Sequence, residues 1–226
     1  MFRNILLAGF SASLLAAGAD SVRAPILVEL FTSEGCSSCP PADRLLESLD
    51  PQVIVLSEHV DYWDRLGWRD PFSAHANTLR QEGYARGFGT TGPYTPQMVI
   101  DGVTEFVGND SRRAMDEIAR ARSRETIGVH LARTASGVQV QIDPVAKAAE
   151  VWLALADDGA TSQVAAGENK GRQLHHVAIL RSLRKIGSVK RSAAFAQSVE
   201  VPPGTGRVIV FVQASGLGKV YGVGSL

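Results

Sequence analysis

Cysteine is scarce in this chain: of 226 residues only Cys36 and Cys39 are cysteines. So short a spacing argues against a stabilising cross-link, because in the chain-entropy model a four-residue loop yields only about 2 kcal/mol, against roughly 4.7 for a 100-residue loop. Beyond the first residues no apolar run is long enough to span a bilayer, so no later membrane span is expected. The net charge is zero, and no basic stretch interleaved with aromatics or set on a reader helix is present, which excludes nucleic acid as an expected partner. There is no internal repeat and no low-complexity tract.

What is present centres on Glu34-Gly35-Cys36-Ser37-Ser38-Cys39-Pro40-Pro41. The preceding Ile26 to Phe31 is short, β-rich and almost continuously apolar, the pattern of a strand buried on both faces. After it, Ala42, Leu45, Leu46 and Leu49 recur at helical spacing and form one apolar face. Cys36 therefore stands where a strand gives way to a helix, and the unpaired N–H groups and positive dipole end of a helix favour a thiolate there. Cys36 is the expected nucleophile and Cys39, about one turn on, the deeper resolving thiol. Redox exchange, metal binding and an inert pair all remain open on the motif alone.

The first residues, Met1-Phe2-Arg3-Asn4 followed by apolar Ile5 to Phe10 and Leu14 to Ala17, have the charge and apolar core of a secretory signal, with cleavage sites after Ala19 or Ala24. A secreted or periplasmic protein is expected, in a compartment where a dithiol can be oxidised.

Further along, Val53 to Leu56 reads as a second buried strand, Asp70-Pro71 as a helix start with Phe72, Ala76 and Leu79 inward, and Gln97 to Ile100 as a third strand. Asp101-Gly102 reads as a hairpin turn into Val103 to Val107, and Asn109-Asp110-Ser111 as the cap of a helix carrying Met115, Ile118 and Ala119 on one face. The order is β-α-β-α-β-β-α. From Thr126 about seven short alternating strands follow, the pattern of a β-sandwich. Charge changes sign at the same place: residues 25–125 hold ten Lys and Arg against sixteen Asp and Glu, residues 126–226 eleven against six. The expected organisation is a signal peptide over 1–24, an α/β domain over 25–125 and an all-β, sandwich-like domain over 126–226.

The segments Val28 to Asp43, His59-Val60-Asp61-Tyr62-Trp63-Asp64 and Thr95 to Gly102, with Glu168-Asn169-Lys170-Gly171-Arg172 in the second half, resemble the DUF1223 family of secreted, thioredoxin-like bacterial proteins. That resemblance implies a thioredoxin-like first domain, a bacterial envelope location and dithiol chemistry. It also implies roles for two residues: Pro96 as a cis-proline facing the dithiol, and Glu29 as the buried strand acid behind Cys39, able to take its proton. The Ser37-Ser38 pair and the prolines after Cys39 depart from the common thioredoxin-like pattern, and the prolines delay the start of the regular helix.

The expected function is thiol-disulfide exchange with protein thiols or disulfides as partners and no cofactor. The alternatives are a periplasmic copper(I)-binding protein, using Cys36 and Cys39 with Met98 or His59, and a non-catalytic binding protein. Trp63 and Trp68 are candidates for a substrate groove or for satellite core. His175 and His176, neighbours on a strand, point to opposite sides and so cannot easily share one site.

Overall fold

The computed structural model describes residues 25–226; the secretory-signal expectation falls on residues 1–24 and lies outside the described residues. The first half contains β1 (Leu27–Thr32), α1 (Pro40–Leu49), β2 (Ile54–His59), α2 (His75–Phe88), β3 (Gln97–Ile100), β4 (Thr104–Val107) and α3 (Ser111–Ala121). The second half contains β5 (Val129–Arg133), β6 (Gly137–Ile142), β7 (Ala149–Gln163), β8 (Gln173–Val189), β9 (Phe195–Glu200), β10 (Arg207–Gln213) and β11 (Val220–Ser225). The result is a mixed α/β protein with one large sheet, a small sheet and three α-helices among the described residues.

The large sheet has eight strands in the order β11-β10-β7-β8-β2-β1-β3-β4, and the small one has three, β5-β6-β9. β1 lies parallel to β2 and antiparallel to β3, with Phe31 opposite Gln97. The β3–β4 hairpin turns at Asp101 and Gly102, both with positive φ (50° and 61°), a backbone that an Asp-Gly pair favours, and Ile100 pairs with Thr104 across a connection that also takes in Val103.

The self-contained β-sandwich expected of the second half is corrected by the strand pairing. β8 lies parallel beside β2, Ser57 opposite Ile179, so β7, β8, β10 and β11 prolong the sheet of the first half. Only β5, β6 and β9 form a separate layer, and Val138, Val140 and Ile142 pack there against Val151, Leu153, Val208 and Val210. β7 and β8 have 15 and 17 residues, long enough for one part to serve this layer and another to serve the site; register shifts near Val151 and Leu155 bend the pair between the two tasks.

Strand alternation divides the chemistry of the central sheet between its faces. Val28 and Leu30 join Ala42, Leu46, Val55, Met98 and Ile118 in a core under α1 and α3, completed by Val177 and Ala178 of β8. Each buried Leu there contributes about 1.5–3 kcal/mol. Leu27 and Phe31 point to the opposite face, towards α2 and β10.

Two helix faces differ from expectation. α2 begins at His75, and Phe72 lies before it; Leu79 is 52% exposed, and the buried side chains are instead Asn77, Thr78, Arg80, Gln81, Tyr84 and Ala85. The reason is electrostatic: Arg80 and Tyr84 satisfy the buried Glu29, and Gln81 bonds Gln97. On α3, Asp110 caps by accepting from the Arg113 N–H at 3.0 Å, and Ala114, Ile118 and Ala121 turn inward while Met115 faces out.

Candidate functional site

β1 ends at Thr32, and a tight turn carries Ser33 to Ser38 into α1, whose N-cap position is Cys39. Pro40 and Pro41 occupy the first helical positions, where the missing N–H groups have no intrahelical partner to lose. The Cys39 carbonyl accepts from the N–H groups of Ala42 and Asp43 at 2.8 and 3.1 Å, and its own N–H donates to the Cys36 carbonyl at 3.2 Å. Cys36 and Cys39 are joined as a disulfide with Cα atoms 5.4 Å apart.

Neither cysteine has exposed surface, so the expected contrast between an accessible Cys36 and a deeper Cys39 is absent from the oxidised form. The far half of the chain packs on this turn. The loop over residues 164–172, between β7 and β8, lies across the dithiol turn. Asn169, itself fully buried, donates from Nδ2 to the carbonyls of Glu34 and Cys36 at 2.8 and 2.9 Å, while its Oδ1 has no partner. At the exposed rim the Glu168 carboxylate accepts from the Ser37 N–H at 3.1 Å, and its bonds to Ser37 hold its pKa below the ordinary value. Gly167, with φ of 73°, lets the loop close on Trp68; a Cβ there would stand 3.1 Å from the Trp68 Cβ.

Behind the dithiol turn is a buried polar cluster. Glu34 accepts from the Trp68 indole N–H at 2.7 Å and from the Ser162 hydroxyl. Its backbone N–H donates to Asp70 Oδ2, which also meets His59 Nδ1 at 2.7 Å. Burial works against the Asp70 carboxylate, but His59 and the N–H groups of Glu34 and Phe72 outweigh it and hold its pKa below the ordinary range. Asp43, one turn into α1, accepts from the Thr32 hydroxyl at 2.8 Å. His176 of β8 lies between the two acids, Nε2 3.3 Å from Glu34 Oε1 and Nδ1 3.8 Å from Asp43 Oδ1. Burial would lower the His176 pKa; Asp43 and Glu34 overcome this and raise it to about 9. His175, its neighbour, points outward as strand alternation requires.

The sequence-derived candidates divide. The Thr95–Pro96 bond is cis, and Pro96 stands immediately before β3 at the sheet end where β1 runs into the dithiol turn. Glu29 is not part of this assembly. Val28, Leu30 and Thr32 face α1, so Glu29 faces α2, where its carboxylate accepts from Arg80 Nε at 2.8 Å and from the Tyr84 hydroxyl at 2.7 Å. In the folded protein the Glu29 carboxylate is thus held as a counter-ion of Arg80 on the α2 side of the sheet. Nearby Glu58 is buried with no hydrogen-bond partner; desolvation raises its pKa well above the usual value, Arg80 offsetting only part and Glu29 adding to the rise.

His59 is held by Asp70, and Met98 is core beneath α1; among the described residues no group of three His, Cys, Asp or Glu side chains has metal-holding geometry. Trp63 bonds the Thr95 hydroxyl and Trp68 bonds Glu34, so both hold the site's frame. Missing from the sequence reading were Glu34, Asp43 and Asn169 as site residues. An acid two positions before Cys36 and the Glu168–Arg172 segment were the available signals.

These features define a mixed α/β protein with a Cys-x-x-Cys disulfide enclosed at the end of a central strand. The sequence profile of DUF1223, described as a protein of unknown function, matches residues 27–213, and the chain belongs to that family. No curated protein matches it. Among solved structures, the chain is similar to protein AGR_C_4864 from Agrobacterium tumefaciens, at 30% identity over 90% of this chain and 94% of that one, with a TM-score of 0.77. It also resembles HBP35 of Porphyromonas gingivalis, at 12% identity over 90% of this chain and 75% of that one, with a TM-score of 0.54, a likeness of fold alone. Among the described residues no helix is long and apolar enough to cross a membrane.

Proposed function

We propose that this protein is a thiol-disulfide exchange protein of the bacterial envelope, built on a thioredoxin-like unit over residues 25–125 and acting on protein thiols or disulfides through Cys36 and Cys39. The observation that carries the reading is the disulfide itself, placed between the end of β1 and the start of α1. A four-residue loop contributes little as a cross-link, so its value lies in chemistry. The signal-like start of the chain supports a compartment where such a pair is oxidised.

In the reducing direction a Cys36 thiolate attacks a partner disulfide, forming a mixed disulfide and releasing one partner thiolate. A Cys39 thiolate then attacks the Cys36 sulfur, re-forming Cys36–Cys39 and releasing the second partner thiolate, so two electrons pass to the partner. Oxidation of a partner dithiol is the reverse sequence. We assign Cys36 as the attacking sulfur and Cys39, the N-cap residue whose carbonyl is bonded into α1, as the resolving one. With both sulfurs enclosed, exchange requires the 164–172 loop to lift.

Trapping tests this reading. Expressed with its natural start, Cys39→Ser should accumulate disulfide-linked partner proteins that Cys36→Ser does not. No linked partner from either variant, together with no exchange between the wild-type protein and reduced or oxidised glutathione, would refute it.

A further inference from the structure

His176 is a buried titratable group that the exchange steps leave unused. Its side chain has no exposed surface, and neither ring nitrogen makes a hydrogen bond. An imidazole so placed faces a carboxylate from each ring nitrogen, at 3.3 Å from Nε2 and 3.8 Å from Nδ1. Those two acids are not arbitrary neighbours. Glu34 lies two residues before Cys36 and Asp43 four after Cys39, so they bracket the dithiol segment at both ends.

We propose that His176 is a positioning residue for the dithiol, an imidazolium from the far half of the chain that neutralises Glu34 and Asp43 and so permits the reduced cysteines to ionise. The inference deepens the exchange reading and rests on it for functional meaning.

The acids are fixed by other partners: Glu34 by Trp68 and Ser162, Asp43 by Thr32. Neither can swing away to solvent if the cation is lost. Two uncompensated carboxylates on the residues that flank the dithiol segment disfavour a further negative charge there, which raises a thiol pKa; a cation between them cancels that field. The other groups facing His176 do not supply a substitute. From β2 His59 packs edge-on at 4.5 Å between ring centroids, and its Nδ1 is committed to Asp70, which is itself anionic. From the loop before α2 comes Phe72, 5.6 Å away, with the Arg181 guanidinium on that ring, 5.1 Å from its centroid. On β7 the residue opposite is Ala160. The raised pKa of His176, about 9, agrees with a cation present at neutral pH.

The test is titration of the reduced protein by thiolate absorbance near 240 nm, which needs neither a partner nor access to the sulfurs. His176→Gln should raise the lowest cysteine pKa by about one unit or more, leaving about tenfold less thiolate at neutral pH. Asp43→Asn, which keeps an acceptor for Thr32, should lower it at pH values where the ring NMR shift reports His176 as protonated, because one anion is then gone while Glu34, 3.3 Å from Nε2, still faces the cation. His175→Gln, on the exposed side, should leave it unchanged. Opposite shifts from His176→Gln and Asp43→Asn are not produced by general loosening of the site. An unchanged cysteine pKa in a folded His176→Gln protein overturns the proposal. Should His176→Gln fail to fold, Asp43→Asn decides, read where its His176 ring is protonated: a lowered pKa supports the proposal and an unchanged one overturns it. Partner trapping with unshifted pKa values would leave exchange standing and remove His176; shifted values without trapping or glutathione exchange would do the reverse.

Discussion

Replacing Asn169 with Ala should open the dithiol to reductant. Two hydrogen bonds, from Nδ2 to the carbonyls of Glu34 and Cys36, hold the loop on the turn. At about 1 kcal/mol net each, their loss removes about 2 kcal/mol from the closed state. Two further effects oppose one another. The Glu34 carbonyl is left without its donor, costing about 1–3 kcal/mol while it stays buried, but the orphaned Oδ1 of Asn169, a penalty of the same size, disappears. They cancel to first order, and the remaining 2 kcal/mol corresponds to a loop that is open roughly 30-fold more often. The assay is the rate at which dithiothreitol reduces Cys36–Cys39 in the folded, oxidised protein, with global stability measured in parallel by denaturant unfolding. Under rapid opening and closing the rate follows the open population, so Asn169→Ala should be reduced about 10- to 50-fold faster without denaturant. Equal rates for the two proteins would refute the loop as the barrier. So would a rate that follows global unfolding across denaturant concentrations in both, since the disulfide would then react only from the unfolded chain.

Two other substitutions separate structure from chemistry. Glu29→Gln removes the nearer of two carboxylates beside the buried Arg80, Glu58 being the other at 3.5 Å, and should destabilise the fold by about 2–5 kcal/mol in denaturant unfolding, with mixed-disulfide resolution unchanged in stopped-flow; slower resolution in a folded variant would place Glu29 in the exchange step. Burial lifts the Asp101 pKa to about 6, only partly offset by the Leu27 N–H and by Arg124 and Lys219, so the folded state binds this proton more tightly than the unfolded chain. Its stabilising effect is complete below about pH 4 and is lost as pH rises through 6, a change on the order of 3 kcal/mol that Asp101→Asn should abolish in unfolding curves between pH 4 and 7; an unchanged slope in that variant would exclude Asp101 as the cause.

What the sequence discloses about this site follows the range of the interactions involved. The strand before Cys36 and the helix after Cys39 were legible because their signals are local: an apolar run, a helical repeat, and two prolines compatible only with the first turn. The seven strands of the second half were legible for the same reason, as alternation between turns. Their assembly was not. Nothing local in Gln173 to Leu180 says that this strand will lie parallel to β2 rather than within its own sandwich. The partners of Glu29 fall in the same gap. A buried acid on a strand preceding a dithiol reads as part of the dithiol site until strand parity is applied, and its partner Arg80 is 51 residues away. Leu79 was turned inward because apolar spacing normally decides a helix face; on α2 the need to satisfy Glu29 and Gln97 turned polar side chains inward instead. Pairing His176 with Glu34, across 142 positions, leaves no mark on spacing or composition.

The continuity of the large sheet also limits how the site can open. Ser162, Asn169 and His176 all belong to the β7–β8 hairpin, but they are anchored differently. His176 lies within β8, opposite Ala160 of β7, in a strand that also borders β2; moving it would separate the middle of the sheet. Ser162 is likewise within the paired part of β7. Only the tip is free of strand pairing. It closes on itself through Val164 N–H to Arg172 O at 3.0 Å and Gly171 N–H to Val164 O at 2.8 Å, and it meets the dithiol turn through Glu168 and Asn169. Lifting residues 165–170 therefore breaks a few side-chain contacts and leaves the sheet intact, whereas displacing the charge cluster would cost the core around Val177 and Ala178 as well. The far half of the chain thus supplies two separable functions to one dithiol: a cover that can leave, and a cation that must stay.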